Sequence, residues 1–97
     1  MADYLLLMHD DAVGECAEDW PTYLDQLSTC GRLRGGSAIG TGACFRKEGA
    51  PSPQSRSLTG FIRIVADDLE DAAICLLGNP VYEAGGTVEI RLLPESA

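Results

Sequence analysis

His9 is the chain's one histidine, and imidazole is the side chain that titrates closest to neutral pH. It ends an apolar run and is followed by Asp10 and Asp11. In that setting it can act as a general acid, a general base or a ligand contact. It can equally be a strand-end histidine bonded to backbone or water. One histidine beside two carboxylates is too small a set for a metal site. Arg63 shares one face of an alternating stretch with Phe61 and Val65, and its planar guanidinium can grip a carboxylate ligand through two parallel bonds. It can also pair with Glu89 on a neighbouring strand, or with a second subunit. Trp20 and Tyr23 lie three residues apart, a spacing that suits either a helix core or a pocket wall. Ser37 has no Gly-x-Ser-x-Gly setting, so it is no activated nucleophile. Asp67, Asp68, Glu70 and Asp71 read as helix capping and solvation rather than paired acid–base chemistry.

The glycines at 35, 36, 40 and 42 do not make a phosphate loop, because no Gly-Lys-Ser/Thr ending and no helix follow them. The cysteines are Cys16, Cys30, Cys44 and Cys75, and no two have Cys-x-x-Cys spacing. Free, buried or half-buried thiols are expected, and no metal or cofactor.

These residues must be held by a small set of elements. Residues 3–9 form a first strand that is apolar on both faces, with Leu5 and Leu7 on one side and Tyr4, Leu6 and Met8 on the other. Asp19 is expected to cap a helix opened by Trp20 or Pro21. Trp20, Tyr23, Leu24, Leu27 and Cys30 share one face of it, and Gly31 ends it. Residues 32–47 read as a strand with bulges or a bend, since glycine inside a strand marks such features. A loop with two prolines spans residues 48–56.

The third strand alternates Leu58, Gly60, Ile62 and Ile64 against Thr59, Phe61, Arg63 and Val65. Asp67 or Asp68 then caps a second helix with Leu69, Ala72, Ala73 and Leu76 at helical spacing, stopped by Gly78. Residues 79–86 are a turn-rich link. The last strand, residues 87–93, points Val88, Ile90 and Leu92 inward, and Pro94 closes it.

Strand, helix, strand, strand, helix, strand is the order of a ferredoxin-like βαββαβ fold: an α+β domain with a four-stranded antiparallel sheet and two helices on one face. Right-handed crossovers put the first and third strands in the middle. The other sheet face is partly apolar, and a second copy of the chain is its simplest cover.

At 97 residues, one domain over residues 1–97 is expected. The net charge of −8 argues against nucleic acid and anionic membrane surfaces as partners. No apolar run is long enough to span a bilayer, and Met1-Ala2-Asp3 lacks the basic start of a signal peptide. A cytoplasmic location is therefore expected.

Tyr4-Leu5-Leu6-Leu7, the passage from Gly31 to Gly36, Leu58-Thr59-Gly60-Phe61, the helix start Asp68-Leu69-x-x-Ala72, and Asn79-Pro80-x-x-Glu83-Ala84-Gly85 carry a resemblance over nearly the whole chain. In them the sequence resembles the YCII-related (YciI-like) family of the dimeric α+β barrel superfamily. The resemblance implies a homodimer with sheets packed face to face and a cleft that holds a small ligand. One branch of the family has Asp-Gly-Pro-Phe before the third strand, where this chain has Pro51-Ser52-Pro53-Gln54-Ser55. The closest branch has a His on the first helix and an Asp near the last strand, proposed as an acid–base pair. Tyr23 and Asn79 stand at those positions here; Asn cannot titrate and Tyr is a poor base near neutral pH.

The ligand is then expected near His9, Tyr23, Ser37, Arg63 and Asn79, brought to one end of the sheet. The first functional reading is a dimeric domain that binds a small organic ligand without chemistry of its own. The alternatives are a lyase or isomerase acting on a small organic acid through His9, and a structural or partner-binding dimer.

Overall fold

The structure, a computed structural model, describes residues 1–54 and 57–95. Four strands form one antiparallel sheet: β1 (Ala2–His9), β2 (Leu33–Ala38), β3 (Leu58–Ala66) and β4 (Val88–Leu93). Their order across the sheet is β2-β3-β1-β4, so β1 and β3 are central. The helices are α1 (Trp20–Thr29), α2 (Leu69–Ile74) and a short α3 (Pro80–Glu83).

The pleat sorts the side chains of β1 by parity. Tyr4, Leu6 and Met8 stand opposite Ile64, Ile62 and Gly60 on one side and Leu92, Ile90 and Val88 on the other. That face meets the helices. Tyr23 and Leu27 of α1, Ala72 of α2 and Val81 of α3 join it in one core, where Leu6, Ile64 and Ala72 are completely buried. The opposite face carries Asp3, Leu5 and Leu7, with Phe61 and Arg63 across the ladder. Leu5, Leu7 and Phe61 are half-buried there.

Several local expectations change. Asp19 does not cap α1: its backbone is helical and its side chain makes no capping bond, because a 3-10 turn over Ala17–Asp19 already leads into the helix. Gly31 does end α1, at φ 74°, where a left-handed residue lets Arg32 N–H reach back to the Leu27 carbonyl at 2.9 Å. Asp68 caps α2, its carboxylate accepting from Asp71 N–H at 2.8 Å.

The buried stripe of α2 continues through Cys75 and Leu76, while Leu69 and Ala73 are exposed, so the helix is rotated from the expected face. The link before β4 folds into α3, with Asn79 as cap and Pro80 at the first turn. Pro fits there because its missing N–H would have no partner.

β2 is shorter than expected. It stops at Ala38, and residues 40–54 are exposed and irregular. The expected bulge is present, as a register shift between Leu33 and Gly35. Gly36 lies so close to β3 that a Cβ there would sit 2.6 Å from the Phe61 carbonyl oxygen. Ser55 and Arg56 of the expected loop lie outside the described residues. Cys75 alone of the four thiols is buried; Cys16, Cys30 and Cys44 are exposed and all four are free. No helix among the described residues is long and apolar enough to cross a membrane.

Candidate functional site

A cavity of about 590 Å³ lies between α1 and the β2–β3 edge of the sheet. Its wall is built by two periodicities that face each other. Trp20 and Leu24, four residues apart, point from one side of α1. Met8, Leu33 and Ile62 meet them from the helix-facing side of the sheet, and Phe61 contributes at the edge. Gly36 and Gly60 add no side chains, and the space they leave is part of the cavity.

Polar groups sit around this apolar lining: Glu15 before the 3-10 turn, Ser37 on β2 and Thr59 on β3. The Trp20 indole Nε1 donates to Glu15 Oε2 at 2.7 Å, which holds the carboxylate beside the ring. Trp20 also packs edge-to-face on Tyr23, with ring centroids 5.8 Å apart. The indole is thereby held from two directions.

The five residues expected around a ligand do not converge. Ser37 alone lines this cavity, at the exposed edge strand, with Oγ donating to the Ala38 carbonyl at 2.9 Å. Tyr23 is in the core beneath it. Its hydroxyl donates to the Cys75 carbonyl at 2.7 Å, and burial raises the phenol above its ordinary range. Asn79 is fully buried, and its Oδ1 accepts from the N–H groups of Val81 at 3.0 Å and Tyr82 at 3.1 Å. It serves the start of α3, and its side chain lies beside the Tyr23 hydroxyl, so these two of the five meet in the core, away from the cavity. Tyr23 and Asn79 are therefore spent on holding helices. Tyr23 also borders a separate, more polar hollow of about 380 Å³, with Asp19, Gln26 and Glu83 around it.

Arg63 and His9 belong to the other side of the sheet. Arg63 does not reach Glu89. It pairs with Asp3 on the adjacent strand, Nε donating to Oδ2 at 2.9 Å and Nη2 to the same oxygen. Glu89 is instead shared by Arg91 and by His9, whose Nε2 lies 3.1 Å from Oε1. Arg91 first and His9 second hold the Glu89 carboxyl below its usual range. His9 is buried at the strand end. Next to it, Asp11 accepts from both the backbone N–H and the hydroxyl of Thr87, at 2.7 and 2.6 Å, and those bonds lower its pKa.

A period-of-two reading already separates Arg63 from Ile62 and Ile64, so its place on the uncovered face was available from the residues. Leu24 and Leu33 were legible only as core positions. Nothing in the spacing singled out Glu15, because a loop and not a periodic element brings it to the cavity. Among the described residues, no group of three or more His, Cys, Asp and Glu side chains is placed to hold a metal ion. The chain matches no family model and no curated protein sequence.

Proposed function

We propose that the protein is a small-molecule-binding domain whose ligand occupies the cavity between α1 and the β2–β3 edge. The observation that carries this reading is the cavity itself. Its volume of about 590 Å³ and its apolar lining with a few polar groups match the usual composition of ligand sites, roughly 300–1,000 Å³. The reading includes a ferredoxin-like, YciI-like domain of the dimeric α+β barrel type. The strand order, with helices on one face only, supports it. The half-buried Leu5, Leu7 and Phe61 on the uncovered face support a two-fold dimer through the sheets. Free and exposed thiols suit a reducing compartment such as the cytoplasm.

A thermal-shift screen of small organic molecules tests the reading, because a ligand that binds only the folded state raises the melting temperature. The shift should shrink in Leu24→Trp, whose larger side chain narrows the cavity. A shift of the same size in that variant would refute the site.

A second reading has one observation in its favour. The buried imidazole of His9 against the Glu89 carboxylate is an arrangement that fixes the ring for proton transfer. It would make the domain a lyase or isomerase working from the uncovered face. Turnover of a small organic acid, abolished in His9→Gln, would establish it.

A further inference from the structure

We infer that the cavity beside α1 takes an organic cation, an amphiphile with an apolar body and a protonated amine head. This rests on the ligand-binding reading and adds the ligand's class. Among the described residues, Glu15 is the one ionisable residue that lines the cavity, and no Lys, Arg or His does. Its Oε2 is held by Trp20, and Oε1 has no hydrogen bond from the described residues. An ammonium group placed there gains a charge-assisted bond to an oriented carboxylate. The Trp20 ring offers it a second, π-type contact. Ser37 Oγ already donates to a carbonyl, so its remaining capacity toward a ligand is as an acceptor.

An organic acid meets the reverse situation. Its carboxylate would lie near Glu15, with no cation among the described residues lining the cavity. Arg63, the residue expected to receive it, is on the other face of the sheet and is taken by Asp3. Arg34, the cation on β2, turns its Nη1 to the carbonyls of Gly31 at 2.8 Å and Leu33 at 3.1 Å. The net charge of −8 repels anions from the whole surface and draws cations toward it.

The test uses octylammonium, octanol and octanoate, which share one apolar body and differ in the head. Binding is read by calorimetry and by the fluorescence of Trp20. Octylammonium should bind up to about fivefold more tightly than octanol, the advantage of an accessible ion pair, and octanoate should bind weakest. Glu15→Gln should remove the ammonium advantage and leave octanol unchanged. Glu18→Gln, a nearby charge that does not line the cavity, should leave the advantage intact.

Octanoate binding as tightly as octylammonium overturns the inference. So does an advantage that survives Glu15→Gln, or one that falls equally in Glu18→Gln. Leu24→Trp separates the two readings. If octanol binding is weakened in that variant but the ammonium has no advantage in the parent, the cavity stands and the cation inference alone fails. If Leu24→Trp leaves octanol binding unchanged, or no probe binds, the ligand-binding reading fails with it. Ser37→Phe, on the exposed edge strand, blocks the same cavity should Leu24→Trp not fold.

Discussion

Arg32 and Asp71 form a two-pronged ion pair, with Nη1 to Oδ2 and Nη2 to Oδ1 each at 2.9 Å. It ties the entry of β2 to the first turn of α2, across the end of β3. The same Asp71 also accepts from the Asp67 N–H at 2.9 Å. The guanidinium first, then that amide, hold the Asp71 carboxyl below its usual range, and the carboxylate raises Arg32 further.

An acid limb of stability follows from this pair. Because the folded-state pKa of Asp71 is lowered, its contribution is present above the unfolded value of about 3.9 and is lost as pH falls through the folded value. Urea midpoints measured from neutral pH down to about pH 3 should decline. Asp71→Asn should lower the neutral midpoint and flatten the decline. Asp11 and Glu89, lowered by their own partners, keep part of the slope in that variant. An unchanged slope would show that the pair contributes nothing to folding.

The core gives an alkaline limb of opposite sign. Burial raises both the Tyr23 phenol and the Cys75 thiol. Each contributes stability that is full below its unfolded value, about 10 for Tyr and 8.5 for Cys, and that disappears as pH rises through the higher folded value. Denaturation midpoints should therefore fall above about pH 9. Tyr23→Phe should cost about 1–3 kcal/mol at neutral pH, because the Cys75 carbonyl loses its donor. It should also soften the alkaline loss. A Phe variant as stable as the parent would contradict the role given to the hydroxyl.

Asn79→Ala should cost about 1–2 kcal/mol through loss of the α3 cap. The effect is on stability and not on a ligand, since Oδ1 is occupied by Val81 and Tyr82. Binding of a cavity ligand should be unchanged in the variant at a temperature where it is folded. A selective loss of affinity without loss of stability would return Asn79 to the site.

Gly36→Ala should destabilise by about 1–3 kcal/mol, the usual cost of overpacking. The added Cβ meets backbone at 2.6 Å, and backbone cannot swing aside. Gly40→Ala is the control, since nothing lies within 4 Å of the Cβ there. Comparing the two thermal melts checks the claim; equal melts would mean β2 moves away without cost.

A dimer through the uncovered face should disperse in Phe61→Glu, read as a halved mass by light scattering after gel filtration. Phe61 is half-buried on that face opposite Leu7, and a carboxylate there would have to be desolvated on association. A parent chain that runs as a monomer at micromolar concentration would remove the dimer from the proposal.

Local patterns in the chain were enough to place β1, β3 and β4 and one end of each of two helices, while β2 stops well short of the expected stretch. The two-sided apolar run of Tyr4 to Met8 is the pattern of a strand with cover on both faces, as central strands have, and β1 does lie between β3 and β4. Gly31 and Asp68 act through their own backbone and side chain, so their roles follow from residue type and the two or three positions beside them. Asp19 and Asn79 show where such reading stops. A preceding turn takes the place of the first as a cap, while Asn79-Pro80 starts a helix whose four residues are too few to leave a periodic signal.

The site was decided by tertiary structure. Parity along each strand sends Arg63 to the face away from Tyr23, and the packing of α1 over the β2–β3 edge forms the cavity. Glu15 reaches that cavity through a loop. Whether a carboxylate meets an indole across such a loop depends on how helix and sheet pack, and no period in the sequence encodes that distance.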